Sequence, residues 1–226
     1  MIEVRGIVVF GDVVASRVDG RAASAWLREL RDELDERHAG DRLAPFGFTQ
    51  GDELQGLLGL DADPLDVVLF AALHEGARPM RWAIAADEVE PGPGPATERT
   101  GPAFLVARSE LERAKARREG LVVVTGDPPA DDLLADIAPV LARLLDELTA
   151  RQRTIARLLL VDGLRQADAA DRLGVSRATV SVVANRARVR EIARLSGAIR
   201  TLLDDGIGRS SPRAWVVGSG SGIAGR

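Results

Sequence analysis

The run Arg42-Leu-Ala-Pro-Phe-Gly-Phe-Thr-Gln50, then Gly51-Asp52, then Glu53-Leu-Gln-Gly-Leu-Leu58 places two apolar stretches around a turn dipeptide. Gly-Asp supplies the backbone freedom and side-chain hydrogen bonding of a tight turn, so residues 42–50 and 53–58 are expected to pair as a β-hairpin. Working outward, residues 20–38 carry Ala23, Leu27, Leu30 and Leu34 at helical spacing, with charges on the other face. Further upstream, residues 2–10 read as a strand. Ile7-Val-Val-Phe10 is continuous enough to be buried on both faces, and Gly11-Asp12 is read as its end. After the hairpin, Asp63-Pro64 is a helix start, a capping side chain followed by proline in the first turn, and the helix should reach about residue 75. Residues 80–86 form the next strand, 91–100 a Pro/Gly loop, 101–118 a helix and 121–125 a short β-branched strand.

Strand, helix, hairpin, helix, strand is the ferredoxin-like order, here followed by one more helix and strand. The expected fold class is α+β, with a ferredoxin-like domain over residues 1–127. Beyond Gly126 the pattern is helical to about residue 204. Leu133, Leu134, Ile137, Val140, Leu141, Leu144, Leu145 and Leu148 recur at three and four residues, and Pro139 should kink this stretch or restart it as a second helix. Residues 128–148 are read as a helical connector whose stripe either covers the sheet or pairs two copies. Residues 149–205 are read as an all-helical domain. Residues 206–226, rich in Gly and Ser, are read as a flexible tail in which Trp215-Val-Val217 offers local docking.

The 226 residues are 46% hydrophobic and 28% charged, with no Cys and two His. That is enough apolar content for a core, and it excludes a disulfide framework, a thiolate nucleophile, a Cys-ligated metal and a His-rich metal site. No apolar run approaches the roughly 18–20 residues of a membrane span. Glu3 leads directly into a strand, unlike a secretory signal, so a soluble cytoplasmic, nucleoid-associated protein is expected. Lys115 is the only lysine, which reads as compositional bias. Charge divides the chain. Residues 1–150 carry 16 Arg and Lys against 28 Asp and Glu, a balance of −12, whereas residues 151–226 carry 14 Arg against 6 Asp and Glu, a balance of +8. Such asymmetry fits an acidic domain followed by a module that meets a polyanion, or a merely solvated basic face.

The basic half has local grammar. Thr149-Ala-Arg-Gln152 has capping-box spacing and opens a helix ending near Gly163. Residues 166–186 then read as a helix-turn-helix. Ala169 and Ala170 are small where two helices cross, Gly174 supplies positive φ in the turn, and Ser176 caps the second helix, which Val180 and Val183 hold inward. Arg177, Ala178, Ser181, Val182, Asn185 and Arg186 face outward, with Arg188 and Arg190 beyond. This stretch resembles the helix-turn-helix of bacterial transcription regulators. The resemblance implies a second helix in the major groove of double-stranded DNA, Arg177, Ser181 and Asn185 reaching base edges and Arg186 and Arg188 meeting phosphates. Ser176, Ala178 and Val182 belong to the same expected surface. A structural helical pair or a protein-interaction module is the rival.

In the acidic half, Asp12 at a strand end and Asp52 in the hairpin turn are expected side by side. Two carboxylates so placed repel unless protonated or bridged by a hard cation, so Mg²⁺ or Mn²⁺ is the natural resident. Mg²⁺ usually arrives with a phosphate-bearing ligand, and residues 13–17 offer backbone N–H groups to cradle one. Gln55 is kept as a ligand contact. Glu53 is left out, because along a strand it faces away from Asp52. Arg17 either pairs with phosphate or is an ordinary exposed arginine. His38 and His74 at helix ends are read as surface positions or dipole partners, and Trp82 as core.

Phe10-Gly-Asp-Val-Val-Ala-Ser-Arg17 with Gly51-Asp-Glu-Leu-Gln55 resembles the bacterial SatD family. Both motifs are also similar to the metal-binding signatures of class III nucleotidyl cyclases and, more loosely, of GGDEF diguanylate cyclases. The likeness continues through Met80-Arg-Trp-Ala-Ile-Ala-Ala86, Thr100-Gly-Pro-Ala-Phe104 and Ala107-Arg108. It implies metal ions held by Asp12, the Val13 carbonyl and Asp52 on a nucleotide; Ser16, Arg17, Gln55 and Arg108 are the residues expected to meet such a ligand, a nucleotide or cyclic dinucleotide. The pattern also departs from the cyclases. Phe48 stands where they read the purine with Lys, Leu105 where they place the transition-state Asn, and Arg108 matches the catalytic Arg only out of register. Cyclisation is therefore not expected, while a nucleotide pocket is. The expected protein is a homodimeric DNA-binding regulator with a degenerate, ligand-sensing cyclase-like domain. The rivals are an active nucleotide-converting enzyme with an accessory DNA-binding domain, and a DNA-binding protein whose first domain only dimerises.

Overall fold

A computed structural model of the chain describes residues 4–14, 20–49 and 53–210. The elements are β1 (Val4–Val13), α1 (Gly20–Arg37), β2 (Arg42–Phe48), β3 (Glu53–Leu58), α2 (Pro64–Ala72), β4 (Met80–Val89), α3 (Pro102–Arg117), β5 (Leu121–Val124), α4 (Pro128–Asp146), α5 (Ala150–Leu160), α6 (Gln166–Leu173), α7 (Arg177–Arg186) and α8 (Val189–Ser210). The sheet order is β2-β3-β1-β4-β5, with β1 antiparallel to both neighbours and β5 parallel to β4. Its first four strands have the ferredoxin-like order expected from sequence, extended by the extra strand.

Alternation along β1 splits the core. Ile7, Val9 and Val13 face α1, α2, α4 and α8, in one cluster with Leu30, Leu34, Leu65, Leu141 and Leu203. Val8 and Phe10 face α3 and pack with Phe104, Ala107 and Leu111. Contrary to expectation, β1 does not end at Gly11-Asp12. Asp12 pairs with Glu53 on one side and Arg81 on the other. Two ladders hold the strand extended through a dipeptide that in isolation favours a turn. Gly11 is needed there for closeness: a Cβ would lie 2.5 Å from the Trp82 ring, and Trp82 is core as expected.

Capping follows the sequence. The Asp63 side chain accepts from Leu65 N at 3.1 Å, with Pro64 in the first turn. At the start of α3, Gly101 has φ 133° and ψ 172°, a conformation open to glycine alone, and a Cβ would lie 2.8 Å from Val89 Cα. Gly101→Ala is expected to cost roughly 1–3 kcal/mol, read as an earlier urea midpoint at unchanged slope.

Both histidines are buried, which corrects their expected surface placement. His38 at the end of α1 sits 3.2 Å from Asp41 and 3.3 Å from Asp66, the latter a charge contact more than an aligned hydrogen bond. Arg37 grips Asp66 with two bonds, of 2.5 and 2.7 Å. Burial pushes the Asp66 carboxyl up, but Arg37 and His38 more than offset it and hold it at about 2. Burial pulls the His38 imidazole down, yet Asp66 and Asp41 together raise it above its ordinary value. The Asp66 contribution to stability is thus full above 3.8 and lost as pH falls towards about 2. The His38 contribution is present below 6.5 and lost as pH rises through its raised value. In melting curves, the gap between wild type and Asp66→Asn is expected to close as pH drops across the acid window.

The second half is not a separate bead. α4 is one continuous helix with Pro139 inside it, neither restarted nor divided. Leu134, Leu141 and Leu145 bury its inner face, so most of the leucine stripe is core. Leu133 and Val140 remain exposed. α8 returns after the helix-turn-helix to pack along α4, with Ile192, Ile199, Leu203 and Ile207 in the same cluster as the sheet. Polar ties reinforce it: Arg200 to Asp63 at 2.8 Å, Arg209 to Asp127 at 2.9 Å, and Arg5 to the Ile207 carbonyl at 3.2 Å. Residues 206–210, expected to open a flexible tail, are instead the last turn of α8. Gly206 lies inside α8, where a Cβ would meet Thr125 Oγ1 at 2.4 Å. Residues 211–226, with Trp215, lie outside the described residues.

Candidate nucleic-acid interface and ligand site

α5, α6 and α7 form a compact unit around Ile155, Leu158, Ala169, Ala170, Val180 and Ala184. The capping box at Thr149 and Gln152 is complete, with bonds of 3.4 and 2.9 Å. Ala169 is fully buried at the α6–α7 crossing, where a larger side chain would force the helices apart. Gly174 ends α6 with φ 63°, and the Ser176 hydroxyl accepts from Thr179 N at 3.1 Å to start α7. Val180 and Ala184 point inward, while Val183, expected to do so, is only partly buried.

The remaining face of α7 is open. Ser176, Arg177, Ala178, Val182, Asn185 and Arg186 are exposed and Ser181 is half-buried. One straight helix face thus presents a guanidinium, an amide, a hydroxyl and a 49% exposed valine. These are the chemistries that read base edges and thymine methyls in a major groove. Arg188 adopts φ 52°, turning the chain from α7 into α8, and is exposed at the edge of that face.

In the first domain the structure gathers a different set from the one expected. Ser16, Arg17 and Asp52 lie outside the described residues. Asp12 sits in β1 directly across from Glu53, so both carboxylates share the α3 face. Lys115 Nζ lies 3.1 Å from Asp12, and Arg108 pairs with Glu53 while stacking 4.7 Å over the Phe10 ring. Gln55 donates to Glu53 at 2.6 Å and is buried. Val13 is buried on the opposite face, paired with Met80. Glu53 and Lys115 were missed. A sole lysine two helical turns after Arg108 was the available signal, and the β1–β3 register that brings Glu53 to Asp12 was not visible in sequence. Of the cyclase departures, Leu105 is 72% exposed, whereas Phe48 is half-buried with Arg31 5.3 Å over its ring.

Asp12 and Glu53 are hard oxygen donors of the kind Mg²⁺ or Mn²⁺ takes. Each is already neutralised by a cation from α3, so a metal ion here must compete with Lys115. Burial lowers the Lys115 ammonium, but Glu112 and Asp12 outweigh it and raise the group above its ordinary value.

Comparison with known proteins agrees with the carboxy-terminal geometry. Residues 140–190 match the model of the family described as sigma-70, region 4. With the open face of α7, this supports a DNA-binding helix-turn-helix within residues 140–190. Among similar solved structures is the crystal structure of a regulator of polyketide synthase expression from Bifidobacterium adolescentis. The identity is 16% over 89% of this chain and 82% of that one, with a TM-score of 0.26, too slight a likeness to bear on fold or function. No curated protein matches the chain. Among the described residues, no helix is long and apolar enough to cross a membrane.

Proposed function

We propose that this protein is a cytoplasmic, homodimeric regulator. In this reading α7 enters the major groove, and the first domain senses a phosphorylated ligand, a nucleotide or cyclic dinucleotide, with Mg²⁺ or Mn²⁺. The observation that carries the DNA half is the open polar face of α7 on a buried helical crossing inside a sigma-70 region 4 match. Arg177, Ser181 and Asn185 read base edges, Val182 meets a thymine methyl, and Arg186 and Arg188 hold phosphates. The SatD and cyclase likeness of the motifs around Asp12 and Asp52 supports the sensing half. Asp12, the Val13 carbonyl and Asp52 would hold the metal, whose role is to neutralise ligand phosphates. Lys115 and Arg108, displaced from their carboxylates, would turn to those phosphates. α3 is then the element that registers the ligand.

The neutralised pairs of Asp12 with Lys115 and Glu53 with Arg108 favour a second reading, a first domain that is scaffold only. Thermal shifts against nucleotides and cyclic dinucleotides with Mn²⁺ separate the two. A ligand at a hundred times its Kd stabilises the fold by about 2.7 kcal/mol. A shift of several degrees that disappears in Asp12→Ala supports sensing. No shift with any compound leaves the scaffold. Turnover of a nucleoside triphosphate that stops in Asp52→Ala would replace both with an enzyme.

A further inference from the structure

We propose that Glu29, Glu33 and His74 form a second site, for one divalent transition ion of the Zn²⁺ type, where the first domain meets the helix-turn-helix. Their ligand atoms all lie within 4.8 Å of one another. The site lies among α1, α2 and α5, away from the α3 face that carries Asp12, and does not depend on the sensing reading. Glu29 and Glu33 are one turn apart on the same face of α1, where like charges repel. His74 follows α2 and closes the group, its Nε2 3.2 Å from Glu33 Oε1.

The histidine is held as metal-binding histidines are. Its ring is 4% exposed, stacked edge-on to Trp26 and packed on Phe70. Its Nδ1 has two partners, the Glu75 carbonyl at 2.7 Å and the Trp26 indole N–H at 3.1 Å. These serve opposite tautomers. With the proton on Nε2, Trp26 donates to Nδ1 and the ring donates to Glu33. With the proton on Nδ1, the ring donates to the Glu75 carbonyl and turns the Nε2 lone pair towards the two carboxylates. A backbone carbonyl on the far nitrogen is the usual outer support of a metal-bound imidazole. One imidazole and two carboxylates leave a coordination position for water and suit Zn²⁺ better than Mg²⁺ or Ca²⁺.

Access comes from a cleft of about 670 Å³ lined by these residues together with Arg153 and Arg157 of α5 and Arg172 of α6. Arg157 reaches across it, 3.7 Å from Glu33 and 4.7 Å over the Phe70 ring. Metal and Arg157 therefore compete for one carboxylate, so occupancy loosens a tie between α1 and the helix-turn-helix.

Calorimetric titration of the full chain with Zn²⁺ tests this, using wild type, Glu29→Gln, Glu33→Gln and Asp12→Ala. Glu29 is exposed, so its amide variant keeps the fold. The expected result is one equivalent bound by wild type and Asp12→Ala, at least tenfold weaker in each glutamine variant, with a change in Trp26 emission as His74 changes tautomer. No saturable binding by wild type overturns the proposal. So does binding undiminished in both glutamine variants, or binding lost only in Asp12→Ala, which would assign the ion to the first-domain carboxylates.

Discussion

Arg177→Ala is expected to lower affinity for a specific DNA site by roughly 10- to 100-fold, about 1–3 kcal/mol, while leaving binding to unrelated DNA nearly unchanged. Arg177 is the first residue of α7, exposed, at the end of the helix that a groove-bound recognition helix directs at bases. Its neighbour Ser176 holds the helix start through Thr179 N, so the substitution removes a contact and leaves the cap. Arg188→Ala is the matched control. At the turn into α8, it should weaken binding to all sequences alike and reduce the salt slope by about 1. The pair is measured by fluorescence anisotropy on specific and random duplexes at several salt concentrations. Equal losses on both duplexes for Arg177→Ala would move that residue from the bases to the backbone.

Leu203→Ala carries the largest expected effect on stability. Leu203 is fully buried in α8 and shares one cluster with Leu134, Leu141 and Ile7. Truncating such a leucine costs about 2–5 kcal/mol, which for a chain of this size lowers Tm by roughly 4–20 °C. The form of the transition matters as much as its position. α8 follows the helix-turn-helix yet packs on α4 and ties Arg200 and Arg209 to Asp63 and Asp127. Loss of its core contacts should therefore weaken the sheet and the helix-turn-helix together, as one transition by circular dichroism. A first transition in which the sheet stays intact would show two independently stable domains.

The local rules carried the sequence reading a long way. Thr149, Gly174 and Ser176 act through neighbours within a few residues, so their caps and turn were legible. The hairpin and strand order followed from apolar runs and breakers. What escaped was set by long-range pairing. Gly11-Asp12 has turn chemistry, yet two ladders keep it in β1. Glu53 was placed away from the site because alternation was judged against Asp52, while the register sets it opposite Asp12. His38 and His74 looked like helix-end residues. Carboxylates at Asp66 and Glu33, distant in sequence, and the Trp26 indole make their burial tolerable. Gly206 looked like the first residue of a loose tail, but its missing Cβ lets α8 lie against Thr125.

In the proposed function, α7 reads sequence in a DNA groove. Selection from a random duplex pool by the purified full chain, repeated with Arg177→Ala, tests it most directly. One enriched motif is expected for the wild type, with relaxed preference at one position in the variant. Enrichment of no motif, or the same motif at unchanged preference in both, would contradict it.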